Sequence, residues 1–415
     1  MTMRIVIAGA GLAGLSLALA LKQALADSHE IVVADPVLGE GRRPDERAYA
    51  ISAAGRRMFE ALGVWSAMAE GAQPIADMVI TDSRTRDVVR PTYLTFGDDA
   101  AGEGAGPAGE PFAHMVWSRV INAELGKACA SAGVVMRPDV VREARSGADR
   151  MSVQLASGES LNAALVVAAD GARSRLREQA GIGWVGWSYD QSGIVATIGH
   201  ERDHGGRATE HFLPAGPFAI LPLPDRADGG HRSSIVWTEA TADAAALLCL
   251  HPEDLLEELE TRFGHQLGAI HVETPPKAYP LSFGMARRFV GERLALLGDA
   301  AHVIHPIAGQ GLNLGLKDVA RLAEAIVDAA RLGLDVGSSA ALIPYEQARR
   351  FDTVAMGVVT DGLNKLFSND VAALRLARDL GLGLVDRMPG LKGFFISQAA
   401  GRSASQPRLL RGEPI

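Results

Sequence analysis

The chain has 415 residues, 47% of them hydrophobic and 22% charged, with a formal net charge of -8. That length exceeds what one ordinary core organises and predicts two domains; the composition excludes a disordered chain, and the charge offers no general basic footprint for nucleic acid. The two cysteines, Cys129 and Cys249, sit in no CxxC or Cys/His cluster, so a reducing compartment is expected and a zinc or iron–sulfur centre is not.

The first strand-like run is residues 4–8 (RIVIA), with no signal-peptide layout around it. A helix is expected from the following GAGLAG to about residue 27, then a second strand over 30–34 that closes on Asp35-Pro36. This is a parallel strand–helix–strand unit. Residues 45–63 read as loop and then helix. Segments between 78 and 96 alternate as strands do, and 97–111 is a Gly/Ala/acid-rich loop. A helix is predicted over 118–132 with Ser118 as its N-cap, followed by strands at 134–136, 140–144 and 151–155 and one buried strand over 161–169. Residues 193–199, 209–213, 218–223 and 233–238 predict an antiparallel sheet broken by Pro/Gly turns. A last short strand at 294–297 precedes helices, among them 312–332 and several after Pro344. No apolar run reaches the ~18 residues that span a bilayer, so a soluble, cytoplasmic protein is expected, with peripheral membrane contact left open.

The architecture expected is α/β. A Rossmann-like domain is assembled from residues 1–75, 112–180 and 290–340. An antiparallel β-sheet substrate domain comes from 76–111 and 181–289, and a helical C-terminal region from 341–415.

Three motifs carry chemistry, each at a strand end. Gly9, Gly11 and Gly14 permit a tight turn, close approach of backbone to a pyrophosphate, and tight helix packing. Asp35, at the end of the next strand, is placed to accept hydrogen bonds from ribose hydroxyls. This predicts dinucleotide binding without separating FAD from NAD. Asp170, in ADGARS, reads alone as an ordinary helix-capping group, with Ser174 as its alternative. Asp299, in GDAAH, leads into HPIAGQGLNLG, whose Gly309 and Gly311 let backbone N–H groups approach a flat ligand at a helix N-terminus.

GAGLAG, ADGARS and GDAAH, in that order, resemble the group A flavoprotein aromatic hydroxylases of the p-hydroxybenzoate hydroxylase fold. HPIAGQGLNLGLKD, DERAYAIS, TEHFLPAGPFAILPLP and SIVWTEA resemble the UbiH/UbiF-type hydroxylases of ubiquinone biosynthesis. The likeness runs from about residue 3 to about 408. It implies that Gly9, Gly11 and Gly14 hold the FAD pyrophosphate and Asp35 the adenosine ribose. It further implies that Arg47 and Arg119 contact the diphosphate or ribityl region, and Val140 the adenine through its backbone. Asp299 would bind the ribityl hydroxyls, and Asp170 belongs to a motif linked with both FAD and the nicotinamide donor. Pro306, Gly309, Gln310, Gly311, Leu312 and Asn313 would line the isoalloxazine ring.

The implied activity is aromatic hydroxylation with bound FAD, with NADH or NADPH and O2 as cosubstrates, on a phenolic and lipophilic ubiquinone precursor. Association with a membrane or a biosynthetic complex stays open. Hydroxylation of a small soluble phenol or polyketide, and a non-catalytic flavin scaffold, remain alternatives. A halogenase is disfavoured because Trp184-Val185-Gly186-Trp187-Ser188 lacks the WxWxIP spacing. His302 and His305 are expected to be satisfied structural residues rather than proton relays. Arg42, Arg43, Arg56 and Arg57 read equally as a solvated basic face or a phosphate attractor. Trp184 and Trp187 read as core or rim, and LKGFF (391–395) as a helix-packing face before an apolar lid.

Overall fold

The computed structural model describes residues 3–39, 45–85, 87, 90, 92–96, 110–147, 149–305, 309–367 and 406–415. Most of the Gly/Ala/acid-rich loop, together with Arg42, Arg43, Pro306 and LKGFF, lies outside them.

A six-stranded sheet runs in the order Val290–Gly291, Leu294–Leu296, Leu165–Ala168, Met3–Ala8, His29–Ala34, Val135–Arg137, parallel except at the first pair. Ile5, Val6, Ile7, Val33 and Val166 are fully buried, because helices cover the sheet. Such strands read as continuous apolar runs. The helix Leu12–Leu25 packs against Ser118–Ala132 and Gln310–Arg331. In-register pairing of Ala8 with Ala34 and Ala168 brings Gly9, Asp35 and Asp170 to one sheet edge, and Leu296 beside Ala168 adds Asp299. This edge is the carboxyl end of the strands, where open α/β sheets bind ligands.

A nine-stranded sheet forms the second layer. Its main path is His302–Val303, Lys277–Ala286, Trp184–His200, His231–Ala240, Gly216–Pro222, Arg207–Leu213, Asp77–Asp82, Thr92–Phe96. Alternation sorts its two faces. Ile194, Ile198, Ile220, Ile235 and Trp237 pack beneath Leu255, Leu259 and Phe263 of the helix Pro252–Phe263. Residues one position away turn toward the first sheet.

Four local expectations are corrected. The predicted strand over 161–169 is two strands in different sheets, Ser160–Ala163 and Leu165–Ala168. Their burial patterns differ accordingly, alternating in the first and continuous in the second. Residues 48–52, expected as loop, form a strand (Ala48–Ser52) whose partner is Ala113–Trp117, more than sixty positions on. Ser118 is not an N-cap: Trp117 holds that position without a side-chain bond, and Ser118 donates its hydroxyl to Asp45 at 3.1 Å. Arg56 and Arg57 do not form a solvated basic face, since both pair with Glu110 and Arg57 also donates to the Leu410 carbonyl. That bond ties the C-terminal turn Arg408–Arg411 to the helix Ala53–Ala61.

Candidate cofactor and substrate cleft

One cleft of about 1440 Å³ lies between the two sheets. A site for a single ligand occupies ~300–1,000 Å³, so this volume suits a dinucleotide and a second molecule.

At its first end, Gly9 takes a φ of +118°, and a Cβ there would collide with the Ala169 carbonyl. A Cβ on Gly14 would collide with the Gly9 carbonyl, so the turn and the helix interlock backbone to backbone. Gly11 differs: a Cβ there would meet no atom of the described residues within 4 Å, although the residue lines the cleft. The space opens into the cleft. Gly11 begins the helix Leu12–Leu25 without a side-chain cap or an acidic residue in the first turn, which leaves the positive helix end for an anion. Asp35 accepts from Ala10 N at 2.8 Å and from Val37 N at 2.7 Å, which locks the carboxylate at the cleft wall. Val140 also reaches the wall, but its N–H is donated to Asp139 and its carbonyl accepts from Ala156. An apolar side chain is therefore its main offering.

In the middle, Arg47 pairs with Asp45 through Nη2 at 2.8 Å, and its guanidinium lies over Tyr49 and Tyr279 at 5.5 and 5.2 Å. Burial raises the Asp45 pKa, but bonds from Arg47 and Ser118 outweigh it and hold the carboxyl below its ordinary range. Burial pushes the Tyr49 phenol up to about 12. Arg119 stacks 4.7 Å over Trp117 and makes no ion pair among the described residues. Asp299 meets solvent within the cleft, yet the enclosing walls raise its pKa against the pull of His302 and Arg47.

Behind Asp299 is a buried network that sequence reasoning missed. Asp318, fully buried, accepts from His302 Nε2 at 2.6 Å, Arg349 Nε at 2.6 Å and Gly298 N at 3.2 Å. Burial alone would raise its pKa; His302 and Arg349 hold it below the ordinary value. Gly298 precedes Asp299 in a left-handed conformation, φ +59°, so this network presents the Asp299 carboxylate. A second strut is Arg177, which donates to the Ala172 carbonyl at 3.0 Å and the Ala300 carbonyl at 3.1 Å, joining the ADGARS and GDAAH turns. The only sequence signals were an acid inside an apolar helix face and a buried Arg in a short helix.

Asp170 accepts from Arg175 N at 3.0 Å, and Ser174 from Arg177 N at 3.1 Å, so both cap the helix Arg175–Gln179 as the plain reading held. Asp170 nonetheless faces the cleft, beside Arg173 and Arg175. Gly309, Gly311 and Leu312 line the inner part at the uncapped start of the helix Gln310–Arg331. Gln310 and Asn313 do not form the wall. Asn313 is instead a buried clamp, accepting from Ser52 N and donating to the Ala50 carbonyl, both at 2.9 Å. His302 is satisfied by Asp318 as expected, whereas both ring nitrogens of His305 are buried without a partner among the described residues. Trp184 is partly buried against Arg177, and Trp187 is exposed and stacked on Phe283, away from the cleft lining.

The chain matches the model of the FAD binding domain over residues 2–359. It is 43% identical to the ubiquinone hydroxylase UbiL of Rhodospirillum rubrum, covering 99% of this chain and 93% of that one. The 3-demethoxyubiquinol 3-hydroxylase of Escherichia coli is 34% identical, covering 96% of this chain and 98% of that protein. This chain belongs to the FAD-binding ubiquinone hydroxylase family. It is an FAD-dependent monooxygenase of the p-hydroxybenzoate hydroxylase fold. In fold, p-nitrophenol 4-monooxygenase from Pseudomonas putida superposes with a TM-score of 0.78 at 19% identity, covering 97% of this chain and 98% of that one. The space before Gly11 and the uncapped helix end fit a diphosphate such as that of FAD. No helix among the described residues is long and apolar enough to cross a membrane.

Proposed function

We propose that this protein hydroxylates a phenolic, prenylated ubiquinone precursor, with NADH or NADPH as reductant and O2 as oxygen source. The observation that carries this reading is the continuity of the cleft. It runs from the glycine turn past Asp299 to the second sheet, where Val195, Ala219, Leu221 and Val236 present an apolar wall. An aromatic ring with a lipid tail matches such a wall, and removal from water there stabilises it by about 25 cal/mol per Å² of apolar surface.

Within this reading Gly9, Gly11, Gly14 and the first helix receive the pyrophosphate, and Asp35 the adenosine ribose. Val140 packs beside the adenine. Arg47 and Arg119 neutralise the diphosphate and ribityl region, Asp299 binds the ribityl hydroxyls, and Gly309, Gly311 and Leu312 face the flavin ring. Gln310 opens the helix that follows, and Asn313 holds that helix start to residues 50–52. Arg173 and Arg175 meet the nicotinamide donor's phosphates at the rim, and Asp170 holds the turn that carries them. The chemistry that bound FAD supplies is hydride acceptance and activation of dioxygen. The protein's own part is to orient both partners, exclude water and hold the carboxylates in place. The same reading places the protein in the cytoplasm, within reach of the membrane that stores a lipophilic substrate.

The test is incubation of the FAD-loaded protein with NADPH or NADH, O2 and a prenylated phenol, with mass spectrometry of the extract. A product heavier by one oxygen is expected. Reductant consumption that yields only peroxide, or turnover of small phenols with no turnover of prenylated ones, would overturn the substrate assignment.

A further inference from the structure

The apolar wall of the cleft carries one carboxylate. Residues of four neighbouring strands line it with strict alternation: Gly193 and Val195, Ala208 and Glu210, Pro217 to Leu221, Ser234 to Thr238. Alternate residues of a strand share one face, so the Glu210 side chain lies on the cleft-facing side. Cross-strand register places it in a row with small apolar neighbours, Glu210 opposite Ala219, Ala219 opposite Val236, and Val236 opposite Val195. Among the described cleft-lining residues of these strands it is the one ionisable group, and it is 3% exposed. The opposite face of the same sheet uses isoleucine, phenylalanine and tryptophan at comparable depth. A carboxyl side chain on the cleft-facing side of a wall otherwise made of small apolar and hydroxyl residues is placed to accept a hydrogen bond from a ligand.

We propose that Glu210 is the substrate-recognition residue of the cleft: its carboxylate accepts a hydrogen bond from the ring hydroxyl of the phenol and thereby fixes which way the ring faces. The proposal rests on the phenol reading above and names the group that selects it. Glu210 also keeps a contact inside the protein; the two oxygens of a carboxylate offer about four acceptor sites, enough for both. A phenol donates one hydrogen bond, whereas its methyl ether donates none and leaves the buried carboxylate partly unsatisfied. A site built this way rejects the analogue that lacks the donor far more strongly than an apolar pocket rejects a change in size.

The experiment compares ortho-prenylphenol with its O-methyl ether, measuring binding to the FAD-loaded protein by calorimetry and turnover of each. Wild type is expected to prefer the phenol by about 10- to 100-fold, the range for a hydrogen bond to a charged group. Glu210→Leu is expected to erase the preference by weakening phenol binding while leaving the ether unchanged or tighter. Glu210→Gln, which keeps shape and an acceptor oxygen, is expected to retain an intermediate preference and carries the test if the leucine variant fails to load FAD. FAD content and melting midpoint of each variant separate lost recognition from lost folding, which would weaken both ligands alike. If wild type hydroxylates the phenol and both variants keep its full preference over the ether, Glu210 is not the recognition residue while the proposed function stands. If wild type binds and oxidises no phenol, both fall together.

Discussion

Gly9, Gly11 and Gly14 look equivalent in the sequence and are not equivalent in space. A methyl group on Gly14 has to displace the Gly9 carbonyl, whereas one on Gly11 meets only the cleft. Gly14→Ala is therefore expected to lower the unfolding free energy by about 1–3 kcal/mol, the usual cost of overpacking. Gly11→Ala should cost the apoprotein under about 1 kcal/mol, as an N-cap change, yet weaken FAD binding more than tenfold. Urea titration of the apoproteins and fluorescence titration with FAD check the pair; equal losses of stability would refute the distinction. Asp35 and Asp299 were legible as single residues because each closes a strand at a motif. Asp318 was not, since its meaning depends on Arg349 thirty-one positions away and on an amide at Gly298.

Elements are held together by buried polar pairs with opposite sensitivities. The long helix Gln310–Arg331 reaches the Asp299 turn through Asp318, and Asp318→Ala takes the buried carboxylate from Arg349 Nε, leaving Asp352 as that guanidinium's remaining carboxylate partner among the described residues. Breaking a buried pair in this way typically costs about 3–5 kcal/mol. The variant is expected to lose that stability and FAD affinity together, and pairing it with Arg349→Met should recover part of the stability in urea unfolding. A second pair joins the strands Asp77–Asp82 and Arg207–Leu213, where Thr81 lies opposite His211 and their side chains meet at 2.6 Å. Burial lowers the His211 pKa from 6.5 to about 3, and burial lowers His114 to about 4. The folded state thus resists protons that the unfolded chain accepts. Stability is fully present above about pH 6.5 and is lost as pH falls toward about 3. Replacing His211 with Asn should flatten the acid limb between those values in thermal unfolding at stepped pH. An unchanged slope would show that His211 is not what drives it.

On the scale of the whole molecule, both sheets wall one cleft, so a ligand there couples them. At a hundredfold excess over its Kd, FAD is expected to add about 2.7 kcal/mol to the unfolding free energy. Scanning calorimetry should then show a higher midpoint for the holoprotein in one merged transition. An unmoved midpoint would mean that FAD binds a surface the folded state does not own.

Local sequence determined the strands that run into motifs, the long helices, and the glycine and aspartate positions at the cleft, because each is governed by contacts within a few residues or by continuous burial. Tertiary structure alone decided that residues 161–169 divide between two sheets, that 48–52 is a strand, that Asn313 is a clamp, and that Glu210 stands on the cleft wall. Each of these depends on a partner far along the chain: the pairing of 48–52 with 113–117, or the register that sets Glu210 beside Ala219. Strand pairing and burial of a polar side chain are set by such distant neighbours, and the periodicity of a short segment carries no record of them.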